Sequence, residues 1–275
     1  MLCGLMKTKD NIYGIDFSGA KDAGKKIWIA EGTIENGTLL IQNCIGSNGL
    51  PGSGNKLEMC LPALRNFVKK QSNAAFGMDF PFGLPKSLVK EDSWKDFILK
   101  FPSLYSSPEE FQEKCTSRAL EISLGQRKEL KRETDDKART PFSPYNLKIF
   151  KQTYYGISEL LYPLVRGELV CVLPMQEPDV GKPWLLEICP ASTLKHLNFY
   201  RFQYKGRYER HREARRQLLK RVMRVGPVRL GRGDLSDIVI DDPGGDALDS
   251  IIAALATYQA LKTMVLYPIE GYVYV

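Results

Sequence analysis

Two short apolar runs in this chain each end in an aspartate and are stopped at once by residues that break a strand. They are Ile12-Tyr-Gly-Ile-Asp16-Phe-Ser-Gly-Ala20 and Ala75-Phe-Gly-Met-Asp79-Phe-Pro-Phe-Gly83. Runs of this length bounded by Gly or Pro read as buried strands. A carboxylate at the end of such a strand is costly to bury alone and well suited to holding a hard cation. A third group, Gly244-Gly-Asp246-Ala-Leu-Asp249-Ser-Ile-Ile-Ala-Ala254, opens a helix and puts two more carboxylates on one of its faces. That face is Asp246, Asp249, Ser250, Ala253 and Thr257, opposite Leu248, Ile251, Ile252 and Leu255. Its small residues are expected to approach the sheet and leave room for more than packing. For Asp246 taken alone, the competing role is an N-cap.

The rest of the chain supplies a frame for these acids. Residues 12–17, 26–31 and 37–42 read as three antiparallel strands, with Asn36-Gly37 a hairpin signal between the second and third and a hairpin-like link at 18–25. A Gly/Ser/Asn-rich loop at 43–55 precedes a helix at about 57–71, with Leu57, Leu61, Leu64 and Val68 at helical spacing. That helix leads to the strand ending at Asp79, expected to run parallel to the first. Residues 84–180 read as a helical insertion, with helices around 91–100, 108–130 and 146–162 broken by prolines and a strand at 168–173. The run Trp184-Leu-Leu-Glu187-Ile reads as a buried strand beside that of Asp79. A basic helical segment at about 200–230, a last helix at about 246–264 and a strand at 271–275 complete the chain. The spacing predicts one α/β domain over residues 1–275.

No apolar run reaches the length of a membrane span, and the N-terminus is too short an apolar stretch for a secretory signal. The six cysteines are scattered without a C-x-x-C pair, which argues against zinc and for reduced, cytoplasmic thiols. The net charge of +7 is uneven: residues 201–232 carry twelve Lys/Arg against Glu209 and Glu213, so the remainder is slightly acidic. A basic segment on an acidic body suits a polyanionic partner, nucleic acid first, with Lys205, Arg207, Arg210, Arg215 and Arg216 as contacts to its backbone. Tyr200, Tyr204 and Tyr208 suit base stacking or packing against the domain. Arg132, Asp135 and Arg139 are expected to form an internal ion-pair loop.

Several carboxylates at one place repel, so a cation must neutralise them or some must keep a proton. Mg²⁺ or Mn²⁺ takes oxygen ligands, and a pair of such ions serves phosphodiester hydrolysis. Asp16, Asp79, Asp246 and Asp249 are the expected metal ligands. Glu187 joins them as a ligand or an orienter of the attacking water, with pairing to a nearby Arg as the competing role.

The order of strands and helices, with acids on strand one, strand four and the last helix, resembles the ribonuclease H-like fold. The motifs Gly14-Ile-Asp-Phe-Ser-Gly-Ala20, Met78-Asp-Phe-Pro-Phe-Gly83, Glu187-Ile-Cys-Pro-Ala191, Gly245-Asp-Ala-Leu-Asp249 and Glu270-Gly-Tyr-Val-Tyr-Val275 resemble the DUF429 family, described as ribonuclease H-like nucleases. The resemblance implies a mixed sheet of order 3-2-1-4-5 flanked by helices, with the long insertion between strands four and five. It implies a Mg²⁺- or Mn²⁺-dependent nuclease with Asp16, Asp79, Glu187, Asp246 and Asp249 as its site. The chain departs from the simplest members in that insertion and in offering only Glu58 from its first long helix. Two rivals remain at this stage. Asp16-Phe-Ser-Gly19 resembles the phosphate-contacting loop of actin-like and sugar-kinase-like phosphotransferases, which need two copies of the fold. The other is a nucleic-acid-binding module without catalysis.

Overall fold

Strand alternation decides which side chains meet. The computed structural model describes residues 9–262 and 270–275. Its strands are β1 (Asn11–Asp16), β2 (Trp28–Glu35), β3 (Thr38–Gly46), β4 (Ala74–Met78), β5 (Cys171–Leu173), β6 (Trp184–Ile188), β7 (Val228–Leu230) and β8 (Val273–Tyr274). They form one mixed sheet of order β5-β6-β4-β1-β2-β3-β7, with β8 pairing the end of β6. β1, β2 and β3 are antiparallel, and both residues of the Asn36-Gly37 turn have positive φ, as a type I′ hairpin requires. β4 runs parallel to β1, and β6 parallel to β4.

This order differs from the expected 3-2-1-4-5. β7 extends the sheet beyond β3, β5 lies outside β6, and the strand beside β4 is the sixth in the chain. β5 and β8 fall within the strands expected at 168–173 and 271–275, whereas β7, with three residues, is too short for a hydrophobic period to reveal. The link from β1 to β2 is a loop with a 3₁₀ turn at Ala23–Lys25 rather than a tight hairpin.

Helices cover both faces. α1 (Leu57–Lys69), α2 (Trp94–Leu104), α3 (Pro108–Ile122), α4 (Glu133–Ala138), α5 (Phe150–Tyr155) and α6 (Tyr162–Arg166) come before β5, with a π-helical turn joining α5 to α6. Ser93 and Ser107 cap α2 and α3 by accepting from the amides of Asp96 and Glu110. α2 runs through Pro102 to its end two residues later, and α4 lies within the charged stretch. Apolar side chains of α1, α2, α3, α5 and α6 pack with Tyr13, Ile15, Phe76, Met78 and Leu185 on one face of the sheet.

On the other face lie α7 (Pro190–His196), α8 (Glu209–Val225), α9 (Asp234–Asp241) and α10 (Asp246–Ala260), packed with Ile12, Ala75, Trp184, Leu186 and Ile188. The last part of the helix expected to reach residue 264 falls outside the described residues. No helix among the described residues is long and apolar enough to cross a membrane, and the five described cysteines are free.

α10 rests on β1 and β4 at unusually short range. A Cβ on Gly14 would stand 2.0 Å from the Ser250 carbonyl oxygen, and one on Gly77 would stand 1.8 Å from Thr257 Oγ1. The small residues of α10 therefore leave no gap over the sheet. They allow backbone-to-backbone approach, and that approach draws the start of α10 to the ends of β1 and β4.

Candidate metal centre

The two-residue period of β1 places Ile12, Gly14 and Asp16 on the α10 face and Tyr13 and Ile15 on the other. β4 is in register with β1, so Ala75 and Gly77 share the α10 face, and Asp79 follows on the same side just past the strand end. The Asp79 amide donates to the Ile15 carbonyl, which seats Asp79 beside Asp16 at the ends of the two paired strands. Gly245, at φ +75°, turns the chain into α10. Asp242 accepts from the amides of Gly244 and Ala247, so the cap falls to Asp242 and Asp246 is not used for it. Asp249 lies three residues further on, and both acids sit in the first turn, where the helix dipole favours negative charge.

One carboxylate oxygen from each of Asp16, Asp246 and Asp249 lies within 4.8 Å of the other two. Asp79 adjoins this set beside Asp16. The donor set suits a hard divalent cation, being all carboxylate oxygen at close range. Its electrostatics point the same way. Burial pushes the Asp16 carboxyl far above its ordinary value, and the charge of Asp249 adds to that, with Lys205 opposing. Burial, then Asp249, pushes Asp79 up to about 8. Burial also raises Asp246, against the pull of Lys205. Burial and mutual repulsion thus favour a retained proton on these carboxyls unless a cation beyond Lys205 joins them.

Lys205 supplies a cation. Its Nζ lies 2.6 Å from Asp249 Oδ2 and 3.6 Å from Asp246 Oδ1, although its side chain is 52% exposed. Burial alone would lower the Lys205 ammonium; Asp249 and Asp16 outweigh it and hold it above its ordinary value. The Tyr204 hydroxyl donates to Asp249 Oδ1 at 2.6 Å, and burial followed by the Asp249 charge raises its phenol. Both residues were unforeseen here: Lys205 was expected on the outer basic surface, and Tyr204 in stacking or packing.

Arg215 explains their placement, and corrects its own expected role. It is 2% exposed, and its guanidinium donates to the carbonyls of Ile240, Tyr204 and Gly206. A guanidinium so engaged holds the 204–206 loop and is closed to a phosphate. Of the other basic candidates, Arg207 is exposed, Arg210 stacks on Tyr208, and Arg216 pairs with Glu213. Tyr200 and Tyr208 are exposed, and Glu58 lies apart from the acids, pairing loosely with Lys56.

Glu187 does not join the aspartates. Trp184, Leu186 and Ile188 face α10, so Glu187 faces the insertion, opposite Met78 in register. There it forms a forked pair with Arg132, Nη2 to Oε1 at 2.5 Å and Nη1 to Oε2 at 2.8 Å. The Phe82 amide donates to the same Oε2. Arg132 is bound as fully to Asp135, through Nε at 2.9 Å and Nη2 at 2.7 Å. Burial raises Glu187, and Arg132 opposes. Of the ion-pair loop expected from Arg132, Asp135 and Arg139, the Arg132–Asp135 pair is present, and its further partner is Glu187 rather than Arg139.

Between the two sets of acids lies a cavity of about 270 Å³. Asp79, Asp249, Lys205 and Tyr204 line one side of it, and Arg132, Asp135 and Glu187 another. No protein-family model matches the chain, and no curated protein or solved structure does so.

Proposed function

We propose that this chain is a metal-dependent nuclease of the ribonuclease H-like kind, hydrolysing phosphodiester bonds of DNA or RNA with Mg²⁺ or Mn²⁺. The observation that carries this reading is the convergence of Asp16, Asp246 and Asp249, with Asp79 beside Asp16. The resemblance of the same motifs to the DUF429 family supports it. Asp16, Asp246 and Asp249 would hold the metal, which when bound activates a water and stabilises the leaving oxygen. Asp79, titrating at about 8, is suited to hold or accept a proton at its carboxylate near neutral pH. Tyr204 fixes the orientation of Asp249. The Lys205 ammonium is within reach of a phosphate brought to the acids. The exposed Arg207 and Arg210 supply salt-sensitive attraction for the polyanion.

The test is a cleavage panel of branched, single-stranded and hybrid substrates with Mg²⁺ and with Mn²⁺. Cleavage is expected from the native chain and lost in Asp16→Asn and Asp246→Asn. A metal ligand should cost at least the roughly 10- to 100-fold that an outer-shell partner costs. Equal cleavage by purified native and variant proteins would overturn the reading.

A further inference from the structure

We propose that the cavity beside the acids is a pocket for a single nucleobase, so that the site takes an unpaired nucleotide, at an end or displaced from its partner, rather than continuous duplex. The proposal rests on the nuclease reading for its functional meaning, but the pocket itself is argued from its walls.

The first argument is size. At about 270 Å³ the cavity falls just below the roughly 300–1,000 Å³ of pockets that hold drug-sized ligands. It has room for one base, or a base with part of its sugar. A base pair within a stack cannot enter, and enzymes that need such a base take it out of the helix into a closely fitting pocket.

The second is the wall chemistry. Pro141, Phe142 and Ile149 from the insertion, and Pro190 from the start of α7, present flat or apolar faces. Such faces suit the π-face of a base without regard to its sequence. Gln152 lies among them. Its Nε2 donates to the Asp79 carbonyl, which fixes the amide's orientation and leaves Oε1 without a hydrogen-bond partner among the described residues. That oxygen is an acceptor suited to a ring N–H or an exocyclic amine.

The third is charge, which sets the direction of entry. At the inner side, the Arg132 guanidinium is fully engaged by Glu187 and Asp135, two carboxylates to one cation. A phosphate there would meet net negative charge. At the side of the aspartates the carboxylates also outnumber Lys205, but there the divalent cation that Asp16, Asp246 and Asp249 would hold supplies, with the half-exposed Lys205 ammonium, the positive charge a phosphate needs. The base therefore goes inward, and its phosphate stays at Lys205 beside Asp16, Asp246 and Asp249, where the metal would act on it.

The experiment is calorimetric titration of the full chain with nucleoside 5′-monophosphates in Ca²⁺, with ribose 5-phosphate as the probe lacking a base. It is repeated on Ala191→Trp, which fills the cavity from a half-buried wall position, and on Phe142→Ala, which removes an aromatic wall. Nucleotides are expected to bind at least 10-fold more tightly than ribose 5-phosphate. Each variant is expected to lose at least 10-fold of that affinity while its Mn²⁺ affinity stays unchanged. Ribose 5-phosphate binding as tightly as the nucleotides, or unchanged nucleotide affinity in both variants, would overturn the pocket. If that happens while Asp16-dependent cleavage persists, the nuclease reading survives alone. Base-dependent binding lost in both variants, without any Asp16-dependent cleavage, upholds the pocket and removes the nuclease reading.

Discussion

Two groups of buried and half-buried acids meet at one cavity from opposite faces of the sheet, and their surroundings treat them in opposite ways. Glu187 and Asp135 receive a complete answer from the protein: a guanidinium forked onto each, with the Phe82 amide and the Thr140 hydroxyl filling further acceptor sites. Asp16, Asp79, Asp246 and Asp249 receive Lys205 and Tyr204, and burial, with the charge of neighbouring carboxylates adding to it, drives Asp16, Asp79 and Asp246 toward the protonated form. Both arrangements cost desolvation. The first spends it on joining the insertion to β6 and to the Glu270 carbonyl, which also accepts from Arg132. The second leaves a site that an outside cation completes. Buried acid alone is therefore a poor sign of catalysis, whereas buried acid that the protein leaves short of cations is a much better one.

The sharpest way to break this comparison is to remove the cation from the satisfied group. Arg132→Ala strands Glu187 and Asp135 in the core, and is expected to lower stability by about 3–5 kcal/mol, the range for breaking a buried pair on one side. Chemical denaturation measures it. A loss below about 1 kcal/mol would mean that the triad is not the internal strut described here. The contrasting substitution, Asp16→Asn, is expected to leave the midpoint unchanged or raised.

A smaller effect separates the two groups by pH. Asp79 titrates at about 8 in the native state, above the ordinary carboxylate value. Between roughly pH 4 and 8 the native state therefore keeps a proton that the unfolded chain has released, and stability from this group falls as pH rises. With metal removed by chelator, Asp79→Asn escapes that loss. Its melting temperature should gain on the native chain progressively from pH 4 to pH 8 and then level off. Parallel melting profiles across that range would show that Asp79 is not held in its protonated form.

How much of this was legible beforehand follows from where periodicity survives. β1 and β4 are short runs ended by Gly or Pro, and α10 has a helical repeat, so Asp16, Asp79, Asp246 and Asp249 could be drawn to one edge from spacing alone. The facing of Glu187 was harder. β6 is buried on both faces, so its apolar residues run on without visible alternation, and the side on which the glutamate falls is hidden. Its partner Arg132 lies 55 residues away in a stretch that reads as mixed charge. Lys205 and Arg215 were obscured by the same basic run that marked them. Counting charge over 201–232 does not separate an arginine turned inward onto three carbonyls from one turned to solvent. Tyr204 and Lys205 sit in irregular chain between α7 and α8, where no period operates, and tertiary tethers, Arg215 and the Gly206 amide donating to the Pro243 carbonyl, bring them to Asp249.

The smallest expected effect tests the boundary between the two groups. Lys205 does for Asp249 part of what Arg132 does for Glu187, but with one contact at 2.6 Å, another at 3.6 Å and half its side chain in solvent. A pair so exposed is weak compared with a buried fork. An incoming divalent cation must share Asp249 and Asp246 with this ammonium or push it aside. Lys205→Met removes the competitor and keeps an unbranched side chain of similar length. Mn²⁺ affinity of the substrate-free chain, followed by titration calorimetry, is then expected to rise about 3- to 10-fold, the upper figure being about 1.4 kcal/mol. Unchanged or weaker Mn²⁺ binding would place Lys205 with Arg132, as a permanent partner of its acids, and would leave the aspartates no longer short of cations. The tether through Arg215 makes the test a clean one. That guanidinium binds the loop by its backbone carbonyls, so the loop keeps its anchor whichever side chain stands at position 205.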